Sequence, residues 1–276
     1  MRVARKWYVP RKIFEHLVGY RRIFDSLAEA RVVAARHLDA SHDCLDNINR
    51  QISLSRSARP SDYPVLFHLG RVWPGVSSLF DLGGNVGNLF YSYSKYLRFP
   101  QNFVWTVYDL ERTLELGRQL ARERGEQRLR FTDDLRALDG HDVLLVSGSL
   151  HYFESPLPDV LRRFSSKPSH VVINRIPVTT VKSVVTVQDS GAALFPCKTI
   201  LRQELISGME DVGYTLVDQW SVPELSVHIP FYPEYSLSQY SGLYFRLGSA
   251  DQDRLAALRV SDTMSEPAPD PGRSSG

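Results

Sequence analysis

Val76-Ser-Ser-Leu-Phe-Asp-Leu-Gly-Gly-Asn-Val-Gly87 is the stretch that decides the fold. An apolar run ends on a carboxylate, Asp81. A turn containing three glycines follows, and then Leu89, Phe90, Tyr93 and Leu97 recur at helical spacing. Strand, glycine turn and helix in that order are the opening unit of a parallel α/β sheet. The pattern continues downstream. A strand, Phe103-Val-Trp-Thr-Val-Tyr108, closes on Asp109 and leads into a helix over 111–124 that stops near Gly125. A third strand is expected near Arg128–Phe131. The fourth, Asp142-Val-Leu-Leu-Val146, is an unbroken apolar run, as a parallel strand covered on both faces should be. A helix over Pro156–Phe164 and a strand over Ser169–Ile173 complete the repeat, predicting right-handed crossovers.

Outside this unit the pattern changes. A long connection over Pro177–Lys198 precedes a helix over Thr199–Val212, stopped by Gly213. Strands over Tyr214–Trp220 and Gly242–Arg246 have no helix between them, which predicts an antiparallel pair at the sheet edge. Residues 1–60 read as a helical extension, because Ile13, Leu17, Tyr20, Ile23, Phe24 and Leu27 recur at helical spacing. A polar connector, Ser55–Ser61, joins that extension to a main domain over 61–249. The extension is a candidate for a lid over the site or for the contact surface of a homodimer. Residues 250–276, rich in Pro and Ser, lack the means to bury a core and are expected to be a disordered tail.

Composition narrows the function classes. The 276 residues are 43% hydrophobic and 23% charged, which is ordinary for a globular protein and excludes a disordered one. A net charge of +2 gives no drive toward nucleic acid or an anionic membrane. The charged start, Met1 to Pro10, is not followed by an apolar run, because Arg11, Lys12, Glu15 and His16 interrupt it. No stretch is long and apolar enough to span a bilayer, so the expected location is the cytoplasm. Two cysteines, Cys44 and Cys197, are too few for a disulfide scaffold, and no Cys/His cluster has metal-ligand spacing.

A glycine turn after a strand, with an acid ending the next strand, suits a ligand that carries a ribose. An NAD(P) or flavin dinucleotide is one candidate. The turn does not fit Gly-x-Gly-x-x-Gly from any starting glycine, and Asp81 would stand close to a pyrophosphate. S-adenosyl-L-methionine fits better, because it brings an ammonium and a sulfonium, a ribose for Asp109, and no phosphate.

On those residues the chain resembles the class I S-adenosylmethionine-dependent methyltransferases. The likeness is carried by Phe80-Asp-Leu-Gly-Gly-Asn-Val-Gly87 and Val107-Tyr-Asp-Leu-Glu111, together with Ser147-Gly-Ser-Leu-His-Tyr152, Val172-Ile-Asn-Arg-Ile-Pro177, Gly213–Trp220 and Tyr240–Arg246. The resemblance is closer to a family of bacterial methyltransferases of mostly undetermined substrate, with Ile229-Pro-Phe231 also carrying it. The resemblance implies a Rossmann-like seven-stranded sheet, mostly parallel, with the last strand antiparallel. It also implies roles. Asp81, Gly83, Gly84, Asn85 and Gly87 would surround the amino-acid end of the donor. Asp109 would hold the ribose and Leu110 would lie along the adenine. Asp133 or Asp134 would approach the adenine amino group, unless it caps the next turn. Ser147 and Gly148 would line the pocket near the sulfonium.

The expected reaction is direct displacement at carbon on a small-molecule acceptor, at oxygen, with a base to take the hydroxyl proton; the resemblance adds a saccharide-like acceptor. His151 is the first candidate base and His228 the second; either one also reads as a packing residue. Arg175 is open to two readings, a partner for an acidic substrate group or half of a structural salt bridge. The remaining functional alternatives are an NAD(P)-dependent oxidoreductase and a non-catalytic module that binds the cofactor.

Overall fold

A computed structural model describes residues 19–35, 57–189 and 193–248. The expected tail and the rest of the N-terminal extension lie outside the described residues.

Seven strands form the main sheet in the order β11-β12-β6-β5-β2-β3-β4. They are β2 (Ser78–Leu82), β3 (Val104–Tyr108), β4 (Leu129–Thr132), β5 (Val143–Ser147), β6 (His170–Ile176), β11 (Tyr214–Val222) and β12 (Tyr240–Leu247). Strands β2 to β6 pair in parallel, whereas β12 runs antiparallel to both β6 and β11. The expected sheet is therefore present, with its one reversed strand inserted beside the edge. The chain order reverses at β2, with β3 and β4 on one side and β5 and β6 on the other. A crevice at the carboxyl ends of β2 and β5 follows from that reversal.

Among the described residues six α-helices accompany the sheets: α1 (Leu27–Ala35), α2 (Asp62–Val72), α3 (Asn88–Tyr93), α4 (Glu111–Glu123), α5 (Leu157–Leu161) and α6 (Arg202–Asp211). The alternation of β5 shows how the layers are built. Val143 and Leu145 enter one core with residues of α2, α3 and α4, while Leu144 and Val146 enter the other with residues of α5 and α6. All four side chains are 0% exposed. Strand β5 needs apolar residues at every position because both of its faces are covered.

Two expectations are corrected. Tyr20–Phe24, placed in a helix by its spacing, is strand β1, and the helix begins only at Leu27. The connection over Pro177–Lys198 is a hairpin of β8 (Val185–Asp189) and β9 (Leu194–Lys198), preceded by the short β7 (Val178–Thr179), which pairs with β10 (Ile200–Leu201). Strand β1 adds to β8, making a second, three-stranded antiparallel sheet. Helical periodicity misled because Tyr20 and Phe24 are both buried, but in two separate small clusters. Tertiary pairing with a distant hairpin outweighs local spacing here. The small sheet stands on the turn after β5: Tyr152 donates its hydroxyl hydrogen bond to Gln188 of β8 at 2.5 Å, and its ring lies 6.3 Å from that of Phe195.

Leu145 sits at the centre of the main sheet, paired with Asp81 and Val172. Leu145→Ala should lower the unfolding free energy by about 2–5 kcal/mol, measured by urea denaturation.

Candidate functional site

The glycine turn is built by hydrogen bonds within the chain. Tyr108 O, at the end of β3, accepts from Gly83 N at 2.8 Å and from Gly84 N at 3.3 Å. Asp109 Oδ2 accepts from Asn85 N at 2.8 Å, and Asn85 Oδ1 accepts from Val86 N at 2.9 Å. Gly84 O accepts from Gly87 N at 3.0 Å. Every N–H from Gly83 to Gly87 therefore already has an acceptor. Gly87 turns the chain into α3 with φ +80°, which a side chain would resist. At Gly84 the requirement is space, since an added Cβ would lie 2.5 Å from Asp81 Cγ.

Asp81 is 1% exposed and lies behind this turn. Burial pushes its carboxyl up to about 7; the Trp105 indole donates to Oδ2 at 3.1 Å and opposes the rise, while the nearby Asp109 charge adds to it. Its other oxygen, Oδ1, is buried without a hydrogen-bond partner. An orphaned carboxylate oxygen behind a close-fitting glycine turn is compatible with a cationic ligand group and unsuited to a phosphate.

The neighbouring positions follow the crevice. Asp109 is half-buried, and its Oδ1 accepts from Leu110 N at 2.8 Å. Leu110 is 46% exposed, an open apolar surface at the end of β3. The two adjacent acids after β4 have different surroundings. Asp134 caps the turn over Leu135–Leu138 by accepting from Arg136 N at 2.9 Å, and it pairs with the Arg136 guanidinium. Asp133 is exposed, within electrostatic reach of Tyr108.

Ser147 and Gly148 end β5, where Gly148 N donates to Asn174 O at 2.8 Å. Ser149, next in the turn, donates to Leu82 O at 2.5 Å and so fastens this turn to the end of β2. His151 is 2% exposed, its ring 4.0 Å from that of Tyr152 and 6.0 Å from that of Tyr240. His228 is exposed on the connection between β11 and β12. The structure thus brings His151 to the turn beyond β5 and leaves His228 at the surface.

Reading the sequence missed the start of α2 as part of the site. The connector before it is not solvated throughout: Ser61 is 3% and Asp62 1% exposed. Arg175, also buried, forms an ion pair with Asp62 and donates to Ser61 Oγ at 2.9 Å and to Ser147 Oγ at 3.2 Å. Of its two readings, the structural salt bridge is the one observed. Ser61-Asp62 before an apolar helix was the available signal, but nothing local tells that its partner lies more than a hundred residues away. Among the described residues no group of three or more His, Cys, Asp or Glu side chains could hold a metal ion, and no helix is long and apolar enough to cross a membrane.

Comparison with solved structures agrees with this architecture. The 1,6-didemethyltoxoflavin-N1-methyltransferase of Burkholderia thailandensis, solved with 1,6-didemethyltoxoflavin and S-adenosylhomocysteine, aligns over 82% of this chain and 92% of its own, with 20% identity and a TM-score of 0.52. The CcbJ methyltransferase of Streptomyces caelestis aligns over 69% of this chain and 91% of its own, with 14% identity and a TM-score of 0.47. No protein-family model and no curated protein matches the sequence. The fold is that of the class I methyltransferases.

A carboxyl whose pKa is raised on folding contributes stability at low pH that is lost as the pH rises. For Asp81 the window runs from its ordinary value of 3.8 to about 7. Over that window wild-type stability should fall relative to Asp81→Asn and then level off, as read by denaturation at a series of pH values. A constant difference between the two proteins would contradict the buried, raised carboxyl.

Proposed function

We propose that this protein transfers a methyl group from S-adenosyl-L-methionine to a small-molecule acceptor, at an oxygen atom. The observation that carries the reading is the hydrogen-bond state of the glycine turn. With each N–H from Gly83 to Gly87 already bonded inside the chain, the turn offers no row of donors to a pyrophosphate. Asp81 behind it and Asp109 beside it make the site acidic, which suits a sulfonium and an ammonium. The same arrangement disfavours an NAD(P)-dependent oxidoreductase.

When bound, the donor supplies an electrophilic methyl group on a positively charged sulfur. The chain's own residues supply position. Asp109 accepts from ribose hydroxyls, Leu110 gives an apolar surface to the adenine, and Asp133, unencumbered where Asp134 is not, accepts from the adenine amino group. Asp81, Gly83, Gly84, Asn85 and Gly87 shape the end that receives the amino-acid part, with Ser147 and Gly148 facing it from β5. Transfer then depends on alignment of the acceptor and on exclusion of water. His151 takes the acceptor hydroxyl's proton, with His228 the weaker candidate because of its exposed position. The aromatic cluster of Tyr20, Tyr152 and Tyr240 beside His151 supplies a flat apolar wall suited to an aromatic or saccharide ring.

Calorimetry on the full chain tests the donor. S-adenosylhomocysteine should bind and NADH should not, and Asp109→Asn should weaken the first by about tenfold. Binding of NADH alone would refute the proposal. With an acceptor in hand, His151→Gln should reduce turnover far more than it reduces S-adenosylhomocysteine affinity; unchanged turnover there and in His228→Gln would remove histidine as the base.

A further inference from the structure

Two guanidiniums meet at the carboxyl edge of the main sheet, and only one of them is satisfied. Arg175 is 3% exposed, and its three nitrogens donate to Asp62, Ser61 and Ser147. Both oxygens of Asp62 are engaged in turn. Its Oδ1 accepts from Arg175 and from the Tyr93 hydroxyl at 2.8 Å, and its Oδ2 accepts from the Arg59 main-chain N–H at 2.7 Å. The Arg59 side chain lies half-buried beside this closed pair and, among the described residues, forms no hydrogen bond or ion pair. Burial lowers its pKa and the Arg175 charge lowers it further, while Asp62, Tyr93 and Glu224 pull the other way. Glu224 acts on it through space, and its Oε1 accepts from Ser61 N at 3.0 Å.

A partly desolvated guanidinium has five N–H donors, and leaving them without an acceptor is unfavourable. The position gives the excess charge a use. Ser147, held by Arg175, ends β5 at the crevice, and Tyr93 lies within electrostatic reach of both Asp62 and Asp81. The cation therefore stands beside the Arg175–Asp62 pair, which reaches Ser147 at the end of β5.

We propose that Arg59 is an anion-binding residue of this crevice and receives a carboxylate through paired guanidinium N–H bonds. The carboxylate has two possible sources. One is the amino-acid end of the methyl donor, which rests on the methyl-transfer reading; the other is an acid group on the acceptor.

Calorimetry on the wild type, Arg59→Gln and Arg59→Lys separates them. The probes are S-adenosylhomocysteine, 5′-methylthioadenosine, which lacks the amino-acid end, and benzoate added to protein loaded with S-adenosylhomocysteine. A loss of about tenfold or more for S-adenosylhomocysteine in Arg59→Gln, with no change for 5′-methylthioadenosine and partial recovery in Arg59→Lys, assigns the donor carboxylate. Unchanged S-adenosylhomocysteine affinity, with benzoate bound by the wild type and not by Arg59→Gln, assigns the acceptor. Equal losses for both nucleosides, or unchanged affinity with no benzoate binding, overturn the proposal. If the wild type binds no S-adenosylhomocysteine, the methyl-transfer reading fails instead. Benzoate titrated into the ligand-free protein then tests Arg59 alone: binding abolished in Arg59→Gln supports it, and no binding in the wild type overturns it.

Discussion

The buried pair of Arg175 and Asp62 is the contact on which the geometry of the crevice depends. It joins the end of β6 to the first turn of α2, and through Ser147 it reaches the end of β5. Charges this deep need hydrogen-bond partners beyond each other, and here Ser61, Ser147, Tyr93 and the Arg59 main chain supply them. Removing one member of such a pair costs about 3–5 kcal/mol, because the other charge is left buried alone. Arg175 also adopts φ +55°, an uncommon conformation for a residue with a side chain, and the surrounding bonds hold it there. The helix start, two strand ends and the turn after β5 therefore behave as one rigid frame.

On that frame the site divides by chemistry. One half is acidic and close-fitting, with Asp81 sealed behind the glycine turn and Asp109 tying that turn to the end of β3. The other half is aromatic and is closed by the second sheet, where Tyr20, Cys197, Val222, Ile229 and Tyr240 form a separate small core. Cys197 is 1% exposed within it, and burial raises its thiol pKa, so it contributes packing and not nucleophilic chemistry. His151 lies where these halves meet.

The main sheet was legible because its determinants are local. The unbroken run of β5, the glycine turn after β2 and the stop at Gly213 each carry their meaning within a few residues. The missing helix between the last two strands correctly signalled an antiparallel pair. The second sheet was not legible. Strand β1 pairs with a hairpin more than 150 residues later, and its five residues carry no alternation strong enough to reveal that. The acids at the strand ends were readable as candidates, but Asp133 and Asp134 could be told apart only when Arg136 was seen to occupy one of them. The burial of Ser61 and Asp62 was hidden for the same reason as β1, since the residue that demands it, Arg175, is remote in the chain.

In the three-stranded sheet β8 lies in the middle, with β1 covering one of its flanks. That cover comes from residues ahead of α2, so a protein shortened to begin at α2 would keep the main sheet yet lay bare one edge of β8. Unpaired backbone donors and acceptors along a strand recruit other strands. Strand β1 thus closes an edge of β8 that would otherwise offer its backbone ladder to another chain.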